Sequence, residues 1–491
     1  MFNSLADLLK KEKEWTHTEN GHEVKNTTDN PLLDFFATCG AMRPRQENEI
    51  LAKFLQAYYF DKLGALRCLF YCRDIRGGLG ERRTFQIIYR HLGDKDPEFV
   101  VKYLYLVPEM GRFDDFYVLI GTKAEKGMWK YVKQQLDSDI FNMKNDNHQV
   151  SLLAKWLKKA DSRSEKTKEL GIYTAKKLGM SVYDYKRTCN KLRKYIDVVE
   201  VKMGEQRWDE IQYSKVPSRA SMIYCKAFYK HDQERYEEFI QKVNTGDEKI
   251  NASTLYPYDI VGKFLTGDYE GEETLQALWD NLPNYVEGEN NIMVLADVSS
   301  SMSNISIRPL ATSIGLAIYF ATRNSGAFKN LFMAFSGNTS IVELREGMSI
   351  GDMIRTMNTG YWGSDTNLEK AFGLILDVAI RNNMPPEMMP KSLVIVSDME
   401  INAVAGHNRC TYATHLKEMY EQHGYKLPKL VFWNVDSRND TFLADTQDSN
   451  AILVSGQSAG TFKNVLNCLD KTMVDMMYSV LNSERYAVIQ L

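Results

Sequence analysis

Residues 291–301 read NIMVLADVSSS, and this stretch decides how the C-terminal part of the chain is interpreted. The apolar run IMVLA predicts a strand that is buried inside a sheet. Asp297 ends the strand, and the hydroxyls of Ser299 and Ser301 follow at intervals of two residues. Oxygen-bearing side chains directly after a buried strand indicate a ligand site, because open α/β sheets bind ligands at the carboxyl ends of their strands.

The residues around this stretch predict an α/β domain. Further apolar strands alternate with amphipathic helices, which is the pattern of a mostly parallel sheet covered on both faces. The last predicted element is one long helix over 462–481. The predicted strands after the first are LFMAFS (331–336), SIVELR (340–345), SLVIVSD (392–398), KLVFWNV (429–435) and AILVS (451–455), and the main predicted helices cover 307–323, 349–358, 368–381 and 411–423.

Two later segments bring more oxygen atoms to the same edge of the predicted sheet. The strand SLVIVS ends at Asp398, and Thr366 begins a helix after a polar loop. Carboxylates, hydroxyls and waters are the hard ligands that suit Mg²⁺, so we expect Mg²⁺ or another divalent cation such as Mn²⁺ or Ca²⁺. Three alternatives stay open: Asp365 replaces Thr366, the site stays empty in the cell, or Asp297 only caps a helix. The predicted metal ligands are Asp297, Ser299, Ser301, Thr366 and Asp398.

These five positions resemble the metal-ion-dependent adhesion site (MIDAS) of the von Willebrand factor A domain. Three separate segments match in the right order, which makes the resemblance more specific than the D-x-S-x-S motif alone. The resemblance implies that the Ser and Thr hydroxyls bind the ion directly and that the aspartates often act through water. It also implies one open coordination position for a carboxylate of a partner protein.

The chain from Asn30 to about Tyr285 has helical periodicity almost throughout, with short turns between the helices. Helices of this kind predict stacked pairs, as in an α-helical repeat (HEAT-like) solenoid. We therefore expect a polar N-terminal extension over 1–29, a helical-repeat domain over 30–287 and an A-type α/β domain over 288–491.

The charge is unevenly distributed, although the net charge is only -3. Residues 151–230 contain 19 Lys and Arg against 9 Asp and Glu. Aromatic residues lie between these cations, namely Tyr183, Tyr185, Tyr195 and Trp208. Cations bind phosphates and aromatic rings stack on single-stranded bases, so the segment is a candidate RNA-binding surface. The alternative is a solvated helix face whose aromatic residues belong to the core.

The order of motifs in the helical part resembles the TROVE-domain (Ro ribonucleoprotein) family, and is closer to its uncharacterised bacterial, plant and viral members than to Ro itself. The resemblance implies a ring of helical repeats closed by an A domain, with small structured RNAs on the outer basic surface and single-stranded ends in the central hole. The matching motifs are RDIRGGLGER (73–82), GRFDD (111–115), AKWL (154–157) and VPSRA (216–220). The candidate RNA-binding residues are Arg73, Arg76, Arg82, Lys155, Lys158, Lys159, Arg163, Lys186, Arg187, Lys191, Arg193 and Lys194.

These features predict a non-catalytic, cytoplasmic RNA-binding protein, because neither a paired base and nucleophile nor a phosphate-binding loop is readable. His407 and His415 lie beyond the last predicted metal strand, and the sequence pattern indicates no nucleophile for either of them. An odd, low cysteine count of seven suits a reducing compartment, and we expect neither a signal peptide nor membrane insertion. The alternative function is a metal-dependent interaction or assembly scaffold, for example of a viral assembly, which binds an acidic group of a partner protein. A metal-dependent nuclease is a weaker third possibility.

Overall fold

The structure is a computed structural model, and it describes residues 12–268, 271–288, 290–304, 308–357, 363, 365–404 and 410–491. His407 therefore lies outside the described residues. Contacts divide the chain into two compact units. The larger unit combines Met1–Thr84 with Ala252–Gln490, and the smaller unit contains Phe85–Asn251 and Leu491.

The larger unit begins with a hairpin in the segment that we expected to be only a polar extension. Strands β1 (Trp15–His17) and β2 (Glu23–Lys25) pair antiparallel. Helix α1 (Pro31–Thr38) begins after Asn30, whose Oδ1 accepts hydrogen bonds from two backbone amides of the first turn. Helices α2 (Glu47–Phe60) and α3 (Lys62–Arg73) follow, and α1 packs against α2.

The helical character of the middle of the chain is confirmed. The helices here span from 4 to 20 residues and are joined by turns, loops or 3₁₀ segments. Their bounds are α4 (Arg83–Lys95), α5 (Pro97–Lys102), α6 (Leu106–Met110), α7 (Glu125–Lys144), α8 (Leu153–Trp156), α9 (Glu165–Lys177), α10 (Val182–Tyr195), α11 (Val199–Gly204), α12 (Ser218–His231) and α13 (Gln233–Thr245).

The predicted C-terminal α/β region is also confirmed, and it belongs to the larger unit. Its six-stranded sheet has the order β5-β4-β3-β6-β7-β8, in which β5 is antiparallel to β4 and the other pairs are parallel. The elements are α14 (Pro257–Leu265), α15 (Glu272–Asp280), β3 (Ile292–Asp297), α16 (Pro309–Arg323), β4 (Leu331–Phe335), β5 (Thr339–Glu343), α17 (Ile350–Met357), α18 (Leu368–Arg381), β6 (Ser392–Ser397), α19 (Tyr412–Glu421), β7 (Lys429–Asn434), β8 (Ala451–Ser455), α20 (Thr461–Leu466), α21 (Met473–Leu481) and α22 (Glu484–Ala487).

The prediction of a single final helix over 462–481 is wrong. Helix α20 ends at Leu466, and α21 begins only at Met473. The hydroxyl of Thr472 accepts a hydrogen bond from the amide of Asp475, so Thr472 caps a new helix. The apolar periodicity runs through the break because both helices bury one face, and the cap residue is the local signal that separates them.

The glycine turn of the RDIRGGLGER motif makes structural contacts. The buried carboxylate of Asp74 accepts hydrogen bonds from Arg485 and from the hydroxyl of Tyr486, which lies 2.9 Å away. The buried carboxylate of Glu81 accepts a hydrogen bond from Arg43. A Cβ atom on Gly78 would lie 2.0 Å from the carbonyl oxygen of Tyr71, so only glycine fits there. The motif thus joins α3 to the end of the chain.

The cysteines are reduced in this structure, and all except the half-buried Cys410 are buried. Within the described ranges, none of the helices is both long enough and apolar enough to cross a membrane.

Candidate functional site

Two of the predicted metal ligands, Asp297 and Asp398, lie at the ends of neighbouring strands where the strand order of the sheet reverses. From β3, the chain goes first to its neighbour β4 on one side and later to its neighbour β6 on the other side. The carboxyl ends of β3 and β6 therefore flank a topological switch point, which is where open α/β sheets bind ligands. Asp297 ends β3, and Asp398 follows the last residue of β6.

The segment from Asp297 to Ser301 is held by hydrogen bonds within its own turn and to the end of β6. The carboxylate of Asp297 is fully buried and accepts hydrogen bonds from the amide of Ser299 at 2.9 Å and from the hydroxyl of Ser397 at 2.6 Å. The hydroxyl oxygens of Ser299 and Ser301 lie 3.0 Å apart. Ser299 also forms a parallel bridge with Gly363, which joins this turn to the loop before Thr366.

Thr366 is buried, whereas its neighbour Asp365 is exposed. The amide of Thr366 donates to Oδ1 of Asn402 at 3.1 Å, and its carbonyl oxygen accepts from the amide of Asn402 at 3.0 Å. Its hydroxyl is buried and has no hydrogen-bond partner among the residues that the structure describes. A buried hydroxyl without a partner costs free energy, so a ligand at this position would satisfy it. This supports Thr366 over Asp365 as the ligand.

The second carboxylate of the site, Asp398, is fully buried and contacts a positive side chain. The guanidinium of Arg438 donates to Oδ2 of Asp398 at 2.9 Å and to Asp436 at 2.8 Å. It also donates twice to the carboxylate of Glu19 in the N-terminal segment, at 2.9 and 3.0 Å. Arg438 therefore connects the residues that follow β6 and β7 to the N-terminal hairpin.

The electrostatics of this edge fit a cation. Burial, followed by the charge of Asp398, raises the pKa of Asp297 to about 7. Burial also raises the pKa of Asp436 to about 6 despite the nearby Arg438, and it raises the pKa of Glu400. Buried carboxylates need pairing with positive charge. The guanidinium of Arg438 pairs with two of the buried carboxylates, Asp398 and Asp436, and a divalent ion would compensate negative charge that remains.

The predicted site depends on hydroxyl groups as much as on carboxylates. In the described part of the chain, no three His, Cys, Asp or Glu side chains come together as a metal-binding group. The predicted site contains only two carboxylates, so hydroxyls and waters would have to complete the coordination of any ion bound there.

One face of α10 carries a stripe of exposed cations in the smaller unit. Arg187, Lys191 and Lys194 are exposed and are spaced by four and three residues, which places them on the same side of the helix. Tyr183 precedes them by one turn, and its side chain is 72% exposed. We call these four residues the α10 stripe. The opposite face is buried and contains Tyr185, whose hydroxyl donates to the carbonyl oxygen of Lys158.

The remaining RNA-binding candidates differ in exposure. Arg76, Lys159 and Arg163 are exposed, whereas Arg82, Lys155, Lys158 and Lys186 are half-buried. Arg73 and Arg193 are buried. The guanidinium of Arg193 donates to the carbonyl oxygens of Ala154 and Leu157, so it holds α8 in place. Burial does not fit direct phosphate contact by these two arginines, and the structure corrects our choice of them.

The aromatic residues of the basic segment also divide into two groups. Trp156 is half-buried, and the guanidinium carbon of Arg112 lies 4.4 Å from its ring centre. Lys155 lies over the same ring at 5.8 Å. Trp208 stacks on His231 with 4.5 Å between ring centres. Tyr185 is buried core, so composition alone overstated the number of available rings.

Sequence reasoning missed Glu19, Asn402 and Arg438. The rule that ligands gather after strand ends would have directed attention to VDSRND (435–440), which follows β7. Glu19 had no such signal, because the hairpin that carries it contacts residues almost 400 positions away.

Two family models match parts of this chain. One is described as a domain of unknown function (DUF7788) and matches residues 291–485. The other is also described as a domain of unknown function (DUF2828) and matches residues 150–295. The first match covers the sheet and the predicted metal ligands, and the second covers the basic segment with the α10 stripe.

The chain is also similar to individual proteins. The uncharacterized protein L728 of Acanthamoeba polyphaga mimivirus is 26% identical over 502 residues, which cover 94% of this chain and 86% of that protein. Among solved structures, the Ro protein (RSR) of Deinococcus radiodurans aligns over 93% of this chain and 100% of its own, with 12% identity and a TM-score of 0.46.

Proposed function

We propose that this protein is a non-catalytic RNA-binding protein of Ro type, which holds single-stranded or small structured RNA on a basic helical surface. The α10 stripe is the observation that carries this proposal. An exposed aromatic ring followed by three exposed cations offers a stacking face and phosphate contacts along about 16 Å of helix.

The exposure of basic side chains in and around the α10 stripe supports the proposal. In the described part of the chain, Lys159, Arg163, Arg187 and Lys191 are exposed and form no ion pair. Lys186 and Lys194 are paired with Asp161 at 2.9 Å and with Glu205 at 4.0 Å. Surface ion pairs of this kind contribute little free energy and are easily exchanged for phosphate. The local basic surface can therefore bind RNA although the net charge is -3.

The experiment that tests this function is crosslinking of the protein to RNA in cells, followed by sequencing, together with sequencing of nucleic acid that co-purifies with and without nuclease treatment. We expect enrichment of RNA that falls when Tyr183, Arg187 and Lys191 are replaced together by Ser, Gln and Gln. A lack of enriched RNA for the unmodified protein would contradict the proposal.

We also propose that the larger unit binds Mg²⁺, or a related divalent cation, at the end of β3. Asp297, Ser299, Ser301, Thr366 and Asp398 would hold the ion, in the manner of a von Willebrand A domain. The unpartnered hydroxyl of Thr366 and the two fully buried carboxylates support this assignment. A bound divalent ion would supply a positive charge that neutralises the carboxylates.

The second candidate function is a metal-dependent protein-interaction or assembly scaffold. The same buried carboxylates favour it, because an ion held there would offer its remaining coordination position to an acidic group of a partner. This function predicts protein capture that requires Mg²⁺, is lost in Asp297→Ala, and resists nuclease. RNA-dependent capture would instead favour the first function.

A further inference from the structure

The N-terminal hairpin (Trp15–Lys25) docks on the loop that follows strand β6 of the larger unit. The hydroxyl of Thr18 donates to the carbonyl oxygen of Ile401 at 2.7 Å. The side-chain amide of Asn20 donates to the carbonyl oxygen of Glu400 at 2.6 Å, and Gly21 forms an antiparallel bridge with Asn402. The hairpin thus bonds mainly to backbone atoms of the loop, and these bonds fix the path of the loop.

The carboxylate of Glu400 lies at the centre of this contact. It is buried, and one of its oxygens accepts a hydrogen bond from the amide of Glu19 at 2.6 Å. Its other oxygen accepts from the side-chain amide of Asn439 at 3.1 Å. The amide of Glu400 itself donates to Oδ1 of Asp398 at 3.1 Å. The hairpin therefore contacts a residue that lies two positions after the predicted metal ligand Asp398 and is hydrogen-bonded to it.

Two routes connect the hairpin to the predicted ligands. The first runs from Asn20 through the loop to Asn402. The side-chain oxygen of Asn402 accepts a hydrogen bond from the amide of Thr366 at 3.1 Å, and the amide of Asn402 donates to the carbonyl oxygen of Thr366 at 3.0 Å. The second runs from Glu19 to the guanidinium of Arg438 and then to Oδ2 of Asp398. Each route ends on a different ligand, and both begin at adjacent residues of the hairpin.

We propose that the hairpin is a strap that positions the metal site, with Asn20, Glu19, Asn402 and Arg438 as positioning residues. This inference rests on the proposed metal binding and names what controls it. Residues that orient metal ligands change metal affinity by about 10–100-fold when they are lost. Since coupling between two sites is reciprocal, metal binding must in turn stabilise the docked strap.

The test measures Mn²⁺ affinity of the full chain by titration calorimetry in Asn20→Ala and Asn402→Ala. Both substitutions leave the charge unchanged, so a loss of affinity reflects geometry. We expect the Kd to rise by about 10-fold in each variant. The matched control is His17→Ala, because His17 is exposed on the same hairpin and forms no hydrogen bond or ion pair with the described residues.

Hydrogen exchange of the unmodified protein gives a second readout that needs no variant of the strap. We expect Mg²⁺ to slow amide exchange in 18–22 and 399–403, and we expect this protection to disappear in Asp297→Ala. Unchanged affinity in both positioning variants, together with unchanged exchange of the strap, would overturn the strap while leaving the metal site intact. If the unmodified protein does not bind Mn²⁺, or binds it as well as Asp297→Ala does, both the proposed metal site and the proposed strap are wrong.

Discussion

Thr366 and Asn402 hold each other through two hydrogen bonds, one from each backbone amide, of 3.1 and 3.0 Å. This pairing fixes the backbone of Thr366, and within the described part of the chain its buried hydroxyl has no hydrogen-bond partner. A buried hydroxyl without a hydrogen-bond partner has a physical explanation if it binds a cation, because a metal bond then replaces the missing hydrogen bond.

Thr366→Val should therefore separate metal binding from stability. Valine has the shape of threonine but no hydroxyl, so the metal-free variant loses a buried unsatisfied group and should be as stable as the unmodified protein or more stable by about 1 kcal/mol. Its affinity for Mn²⁺ should fall at least tenfold. Thermal denaturation with and without Mn²⁺ measures both effects. A variant that is less stable without metal and equally responsive to it would contradict this assignment.

Removal of Arg485 should destabilise the larger unit although Arg485 lies near the C-terminus. Its guanidinium pairs with Asp74, which is fully buried. Without Arg485, the buried carboxylate of Asp74 loses its positive partner, which costs folding free energy. The hydroxyl of Tyr486 and nearby backbone amides still donate to Asp74 and offset part of this cost. We expect Arg485→Ala to lower the unfolding free energy by about 2 kcal/mol. The exposed Arg345 provides the control, and equal melting temperatures for both alanine variants would exclude a structural role.

Alanine substitution at two glycines should have opposite effects. In Gly78→Ala the new Cβ atom would lie 2.0 Å from the carbonyl oxygen of Tyr71, so the turn must open and we expect a loss of at least about 3 kcal/mol. In Gly373→Ala, within α18, nothing lies within 4 Å of the new atom. Helix propensity then predicts stabilisation by about 0.5–1 kcal/mol. Urea denaturation compares the two variants, and similar effects at both positions would refute this explanation.

The smaller unit should lose stability in acid through Glu125. Partial burial raises the pKa of this carboxyl, but hydrogen bonds from Tyr173, Gly121, Lys177 and Trp129 outweigh burial and lower it to about 2. A lowered folded-state pKa gives stability that is complete above the unfolded value of about 4.3 and is lost as the pH falls towards 2.

Glu125→Gln should therefore weaken the smaller unit by on the order of 1–2 kcal/mol at pH 7 and change it little at pH 2. Urea midpoints at several pH values between 2 and 7, followed by tryptophan fluorescence, measure the difference. The exposed Glu165 serves as the control position. If the difference in urea midpoint between Glu125→Gln and the unmodified protein stays constant over this pH range, another group controls the loss of stability in acid.

The sheet was predictable because buried parallel strands appear in the sequence as continuous apolar runs. The edge with Asp297 and Asp398 was predictable because the carboxyl ends of parallel strands lie at the same edge of a sheet. Asp297 and Asp398 follow from that rule alone. The strap was not predictable, since Glu19 and Asn20 lie in a polar segment and contact residues almost 400 positions away. Exposure was not predictable either, because Arg193 and Arg187 belong to the same basic helix and differ only in the face that they occupy.

The measurement that tests the central claim most directly is a filter-binding salt titration with single-stranded RNA. Arg187→Gln with Lys191→Gln removes two cations of the α10 stripe, and Lys329→Gln with Lys417→Gln is the charge-matched control, because both of these lysines are exposed in the larger unit. For two lost phosphate contacts, the slope of log K against log salt should become shallower by about 1.4 in the stripe variant, with the control unchanged. A flat salt dependence for the unmodified protein, or equal slopes for all three proteins, would contradict RNA binding by this surface.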